Sequence, residues 1–255
     1  MTTLFPSQKP LYTRLQHLLN VHVQSQGKIR PHAWVTGPTG SGKTHIAELV
    51  CEELDVPMFT INAAQLTAEG LSGNSLTKAL RPLRQNWDRP NLILVDEFDK
   101  LFQRGGEAAE GFRRDVQDEF LGILEAQKAS IFTDYGKYEP FPIDKTLFLF
   151  AGAFNGMRAE NLTDLRDLGV RPEFIGRVPL VISAQEVNTA EIVSAIPSMP
   201  LYQEYGKLFP ATNAKEKNSR LSAIAELIVL QNKNVKLGIR ALNSCIHTYF
   251  MERRQ

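Results

Sequence analysis

The sequence predicts an α/β fold: a three-layer sandwich with helices on both faces of a mostly parallel central sheet, followed by a small all-helical C-terminal lid domain. Three observations predict it. Short apolar runs alternate with segments of helical periodicity between residues 33 and 154, the pattern of strands joined by crossover helices. A glycine-rich turn, GPTGSGK, sits between the first such run and the first such helix. Beyond VRPEFIGRVPLVIS the apolar positions recur only at helical spacing, which places a domain boundary near Ile182 and Ser183.

Residues 1 to 10 are polar with two prolines and read as an arm. Leu11, Leu15, Leu18, Leu19 and His22 then fall on one side of a helix over Leu11 to Val23. After the linker QSQGKIRPH, AWVT is the first strand, and THIAELVCEEL is a helix with Ile46, Ala47, Leu49, Val50 and Leu54 as its buried stripe. VPMFTIN is the second strand; a loop, AAQLTAEGLSGNS, leads to a helix ending near Arg84. NLILVDEFD is an apolar strand that stops at a run of acids. A polar link at Gly105 and Gly106 precedes a helix from Phe112 to Lys128, with Val116, Phe120, Ile123 and Leu124 inward. FTDYGKYEPFPIDK carries turn residues and fits a hairpin excursion before the strand TLFLFAGAF. The domains expected are thus 1–182, a large domain with a short arm, and 183–255, whose helices are AQEVNTAEIVSAI, MPLYQEYGKLF, SRLSAIAELIVLQN and LGIRALNSCIHTYFMERR.

At 255 residues the chain is long enough to bury a sizeable core. Its 29 Lys and Arg against 28 Asp and Glu make no case for a globally basic nucleic-acid binder. Two cysteines, Cys51 and Cys245, cannot build a disulfide framework or a cysteine-based zinc module. No stretch has the length needed to cross a bilayer, and the start shows no leader pattern, so a cytoplasmic protein without membrane insertion is expected.

Gly37-Pro38-Thr39-Gly40-Ser41-Gly42-Lys43-Thr44 satisfies G-x-x-x-x-G-K-[ST] and lies between a strand and a helix, as a phosphate-binding loop requires. Its glycines let successive backbone N–H groups turn toward phosphate oxygens, and the helix that follows adds its positive end. Lys43 would neutralise β- and γ-phosphate charge, and Thr44 would offer a hydroxyl to Mg²⁺. About fifty residues on, Asp96 and Glu97 end an apolar strand. In a nucleotidase of this fold, Asp96 would hold Mg²⁺ through water and Glu97 would polarise the water attacking the γ-phosphate. Any buried strand ends in polar residues at solvent, so the pair takes its meaning from the loop upstream. ATP and Mg²⁺ are the expected cofactors.

With these strings in hand, the chain resembles the AAA+ ATPases, P-loop NTPases, and among them the ClpX and HslU unfoldase branch. The matching strings are GPTGSGKT, LDVPMFTINAAQLT, LVDEFDK, LFLFAGAF, RPEFIGRVP and, more weakly, LGIRAL. The resemblance implies that Arg177, in FIGR on a loop flanking a strand, is an arginine finger reaching the γ-phosphate held by a neighbouring subunit. It implies equally that Arg240, in GIR, is a second sensor on the lid, and it points to Asn155 as the first-sensor candidate. A guanidinium suits both arginine roles because it stabilises charge on a transferring phosphoryl group.

The departures from the family bear on the client. Gly70-Leu71-Ser72-Gly73 stands where the unfoldases carry a glycine-flanked aromatic that grips polypeptide in the pore, and Leu71 offers less rigid contact area than a ring. These residues show neither the family's zinc-binding domain nor, with only NGMRAENLTDLRDLG between the GAF and FIGR strings, its ClpP-docking insertion, so ClpP is not expected as a direct partner. The arm also lacks the usual Ile-Gly motif near the adenine. Phe132, Tyr135, Tyr138 and Phe141 interleave with Lys137 and could stack on single-stranded nucleic acid, but Asp134, Glu139 and Asp144 oppose a phosphate backbone. The expectation is an ATP-hydrolysing ring, a hexamer of this chain, that remodels a protein or protein complex with a separate client or adaptor. The alternatives are a nucleic-acid-associated AAA+ ATPase, with a basic track from Arg81, Arg84, Arg104, Arg113, Arg114 and Lys137, and a nucleotide-controlled assembly scaffold.

Overall fold

The computed structural model describes residues 4–66, 75–102, 107–133, 136–157, 159–235 and 239–252. Tertiary contacts divide the chain into two compact units. The sheet unit holds Leu11–Gly37 and Lys43–Ala184; the helical unit holds Met1–Pro10, Pro38–Gly42 and Gln185–Gln255.

In chain order the sheet unit is built from α1 (Lys9–Gln24), β1 (Ala33–Thr36), α2 (Lys43–Glu53), β2 (Met58–Asn62), α3 (Leu76–Ala79), β3 (Asn91–Asp96), α4 (Glu107–Leu124), β4 (Lys128–Phe132), β5 (Tyr138–Pro142), β6 (Thr146–Gly152), α5 (Leu162–Asp167), α6 (Pro172–Arg177) and β7 (Leu180–Ser183). Five strands form a parallel sheet in the order β2-β3-β6-β1-β7. The central strand β6 is buried at every residue, which explains its unbroken apolar run. Register aligns Thr36 with Gly152 and Ser183, and Asn62 with Asp96, so these strand ends share one edge of the sheet. An aromatic cluster of Trp34, Phe98, Phe120, Phe150 and Phe174 fills one side, with Phe98 and Phe150 centroids 4.5 Å apart.

Several elements differ from expectation for identifiable reasons. The helix expected to end near Arg84 is one turn, α3, followed by a 3₁₀ segment Arg81–Gln85 with Pro82 at its start, because proline cannot continue an α-helical hydrogen-bond ladder. α4 stops at Leu124, and Lys128 instead opens β4, paired antiparallel with β5. Arg177 is the last residue of a short helix, α6, rather than part of a loop. The arm is not wholly irregular: Pro6–Gln8 is a 3₁₀ turn running into α1.

The helical unit contains α7 (Thr189–Ala195), α8 (Pro200–Leu208), α9 (Ala214–Val235) and α10 (Arg240–Glu252). Asn188 caps α7 by accepting from Glu191 N at 2.8 Å, satisfying a donor that a helix start leaves open. Its core joins Ile192, Ile196, Ile224, Ile228, Ile246 and Phe250, with Phe5 of the arm among them. Arg220 is buried there, donating to Phe209 O at 2.9 Å and stacking 5.1 Å from the Phe250 ring. Among the described residues no helix is long and apolar enough to cross a membrane.

Candidate functional site

The site begins where β1 ends. Gly37 has φ +135, and a Cβ there would lie 2.5 Å from the Ala184 carbonyl oxygen, so only glycine fits this exit from the sheet. Lys43 and Thr44 open α2. Within the sheet unit Lys43 Nζ donates to Gly37 O at 2.7 Å, and Thr44 Oγ1 donates to Asp96 Oδ2 at 3.1 Å. Asp96 Oδ1 accepts from Glu97 N at 2.8 Å. Glu97 itself is exposed and has φ +55, a left-handed conformation that costs about 1–3 kcal/mol for a residue with a Cβ. The carboxylate pair therefore diverges, Asp96 turned to Thr44 and Glu97 to solvent.

Within the helical unit lies the crown of the loop, Pro38–Gly42. Gln8, almost fully buried, donates from Nε2 to Ser41 O at 3.0 Å and accepts from Phe5 N at 3.2 Å. Ile239 N donates to Gly40 O at 3.2 Å, which places the residue before Arg240 on the crown; Arg240 is exposed at the start of α10. A Cβ at Gly42 would overlap Gln8 Nε2. Gln8 was not readable as part of this region, because a lone glutamine in a polar arm carries no pattern.

Each unit by itself carries groups of the type a nucleotide or its cation takes. Ser41 Oγ is buried without a hydrogen-bond partner, a polar atom that folding leaves to a ligand or water. Thr44 and Asp96 offer two hard oxygens side by side, the donor type that Mg²⁺ takes. Pro38 and Thr39 complete the crown, Thr39 exposed.

The other candidates lie elsewhere in the sheet unit. Asn155 sits in a tight turn after β6 with φ +54, its Oδ1 accepting from Lys100 Nζ at 3.5 Å. Arg177 pairs with Glu125: Nη2 donates to Oε2 at 3.1 Å, and Nε lies 2.9 Å from Oε1. Nη1 also donates to Glu173 O at 3.3 Å. Gly70, Leu71, Ser72 and Gly73 lie outside the described residues, as do Arg104, Asp134 and Tyr135. Of the basic track, Arg81 donates from Nε to Phe132 O at 2.6 Å and covers the Phe132 ring at 5.4 Å, while Arg84 faces Glu139 at 3.9 Å. These two cations hold the β4–β5 hairpin onto the sheet unit.

A parallel sheet with a glycine loop leaving its first strand, a lysine and a threonine opening the next helix, and a carboxylate facing that threonine defines a nucleotide-binding α/β class. Residues 33–161 match the ATPase family associated with various cellular activities, AAA, and the chain belongs to that family. It therefore carries an AAA ATPase domain, for which ATP is the implied nucleotide. Similar proteins include the ATP-dependent Clp protease ATP-binding subunit ClpX of Porphyromonas gingivalis, 26% identical over 86% of this chain and 64% of the relative. The ClpX of Bacteroides thetaiotaomicron is 26% identical with the same coverage, and that of Treponema denticola 25% identical over 95% of this chain and 70% of its own. The chain thus spans about two thirds of the length of these relatives.

Proposed function

We propose that this chain is an ATP-hydrolysing AAA+ motor that works as a ring, a hexamer of copies, in the cytoplasm and remodels a protein or protein complex. The observation that carries the reading is the convergence of Thr44 on Asp96 at 3.1 Å, with Lys43 held at Gly37 O by the same helix start. In this reading residues 1–182 are the ATP-binding domain and 183–255 its lid. Gly37 to Thr44 wrap the phosphates with backbone N–H groups, and Lys43 leaves the Gly37 carbonyl for phosphate oxygens. Thr44 directly and Asp96 through water would hold Mg²⁺, which would draw charge from the phosphate oxygens. Glu97 takes a proton from the water that attacks the γ-phosphorus, and ADP leaves with the broken P–O bond.

Arg177 acts in trans in this scheme, exchanging Glu125 for a neighbour's γ-phosphate, so that turnover depends on assembly. Arg240 and Asn155 sense the nucleotide from the same chain, and the Gly70–Gly73 segment, with Leu71 at its centre, contacts the client. A protein client is favoured over nucleic acid because Arg81 and Arg84, two of the basic track's residues, are engaged by Phe132 and Glu139.

Steady-state ATP hydrolysis over a range of protein concentrations tests the proposal, repeated with Glu97→Gln and Arg177→Ala. Specific activity that rises with concentration and collapses in both variants supports a shared-site ring. Turnover independent of concentration and indifferent to Arg177 eliminates the trans finger.

A further inference from the structure

The proposed chemistry uses Asp96 and Glu97 but leaves Asp99 of the same acidic run without a task. Asp99 is nearly fully buried, unlike Glu97 two residues earlier. Its carboxylate accepts from two consecutive backbone amides beyond β6: Ala153 N to Oδ1 at 3.3 Å and Phe154 N to Oδ2 at 3.0 Å. Lys100 Nζ lies 3.7 Å from Oδ2 and also donates to Asn155.

The turn so held is an unusual one. Phe154, Asn155 and Gly156 have φ of +46, +54 and +78 in succession, and two side-chain-bearing residues seldom adopt this region together. Gly152 makes the clasp sterically available: a Cβ there would lie 2.9 Å from Asp99 Cβ and 3.0 Å from Phe154 Cε2. Between Glu97 and Asp99, Phe98 is wedged into the aromatic core with Phe150 and Phe174. The segment 97–99 is therefore a stiff bridge with a strained, exposed carboxylate at one end and a strained turn gripped at the other.

We infer that Asp99 is a positioning residue that locks the Ala153–Asn155 turn to the Asp96–Glu97 strand end, so that nucleotide at one is felt at the other. This rests on the proposed nucleotide site. Asp99 touches no reacting atom; it acts by accepting two N–H groups, one on each carboxyl oxygen. Asparagine keeps the volume but turns an NH₂ toward one of those amides.

The test compares wild type, Asp99→Asn, Asn155→Ala and the double variant, with Gly152→Ala as a second route to the same clasp should Asp99→Asn not fold. Thermal stability, Mg·ATP affinity, steady-state kinetics and amide hydrogen exchange of residues 152–157 are measured together. The expected result is a native melting transition, Mg·ATP affinity within about threefold, and kcat reduced about tenfold or more. Asn155→Ala adds no further loss, because the two residues act in one chain of contacts. Mg·ATP slows exchange at 152–157 in wild type but not in Asp99→Asn. Losses that multiply in the double variant, an unchanged kcat, or exchange that responds identically in the two proteins overturns the inference. A wild-type chain that binds Mg·ATP without turnover sinks the motor reading by itself, and the exchange comparison then decides the role of Asp99. Absence of any exchange response in wild type overturns it as well.

Discussion

The phosphate-loop end of the sheet unit and its Arg177 end both hold a cationic side chain against an oxygen, yet they are built differently. Lys43 lies at the start of α2 and meets the carbonyl of a glycine whose backbone no other residue can adopt, while the adjacent Thr44 faces a strand-end carboxylate. Arg177 meets Glu125, a side chain two-thirds exposed. Backbone and buried strand ends fix the first arrangement. The second depends on a partly exposed ion pair, a type worth about 0–1 kcal/mol at the surface, and on one donation to the Glu173 carbonyl. The difference teaches that one end is organised within the single chain, whereas the other can release its arginine at little cost.

The comparison is broken or sharpened by substitutions on both sides. The largest effect is expected from Glu97→Gln, with kcat for ATP hydrolysis down about 10²–10⁴-fold and nucleotide binding retained, checked by single-turnover kinetics beside equilibrium binding. Lys43→Ala should weaken Mg·ATP binding by about 2–5 kcal/mol, read by titration with a fluorescent nucleotide; binding near wild-type would remove the distinction between the two ends.

Acid should attack the framework under the first end. Burial, with Arg30 nearby, pushes His32 down to about 4, and its Nδ1 accepts from Phe148 N at 3.0 Å, which needs the unprotonated ring. The folded pKa lies below the unfolded value near 6.5, so the unfolded chain binds the extra proton between them. Stability is fully present above about pH 6.5 and declines by roughly 3 kcal/mol as pH falls toward 4. Urea midpoints across that range should show the decline, and His32→Gln should flatten it. The smallest effect is expected from Glu125→Ala, which should change the unfolding free energy by less than about 1 kcal/mol. A larger loss in chemical denaturation would mean that Arg177 is structurally fixed after all.

How much of this was legible beforehand depended on the kind of signal. β6 and β3 announce themselves as unbroken apolar runs because a central parallel strand is buried on both faces. β7 is four residues at the sheet edge with Leu180 exposed, and α5 and α6 are six residues each; none is long enough to show a period. Pro82 ends the helix that was expected to reach Arg84, a break given by one residue rather than by a pattern. In the candidate site, the glycines and Lys43 declare a backbone requirement and a charge at fixed spacing. Gln8 and Asp99 declare nothing, since their partners, Ser41 and the amides of Ala153 and Phe154, are 33 to 55 residues away in the chain.

By itself, then, the sequence determined the layered α/β class, the strand–loop–helix around Gly37 to Thr44, and the acidic end of β3. These follow from local rules: burial sets hydrophobic period, and φ sets where glycine must stand. Only the tertiary structure decided that Thr44 meets Asp96, that Arg177 rests on Glu125, and that Asp99 grips the turn after β6. Those pairings depend on which strand lies beside which, and strand order is a property of the assembled sheet that no local spacing encodes.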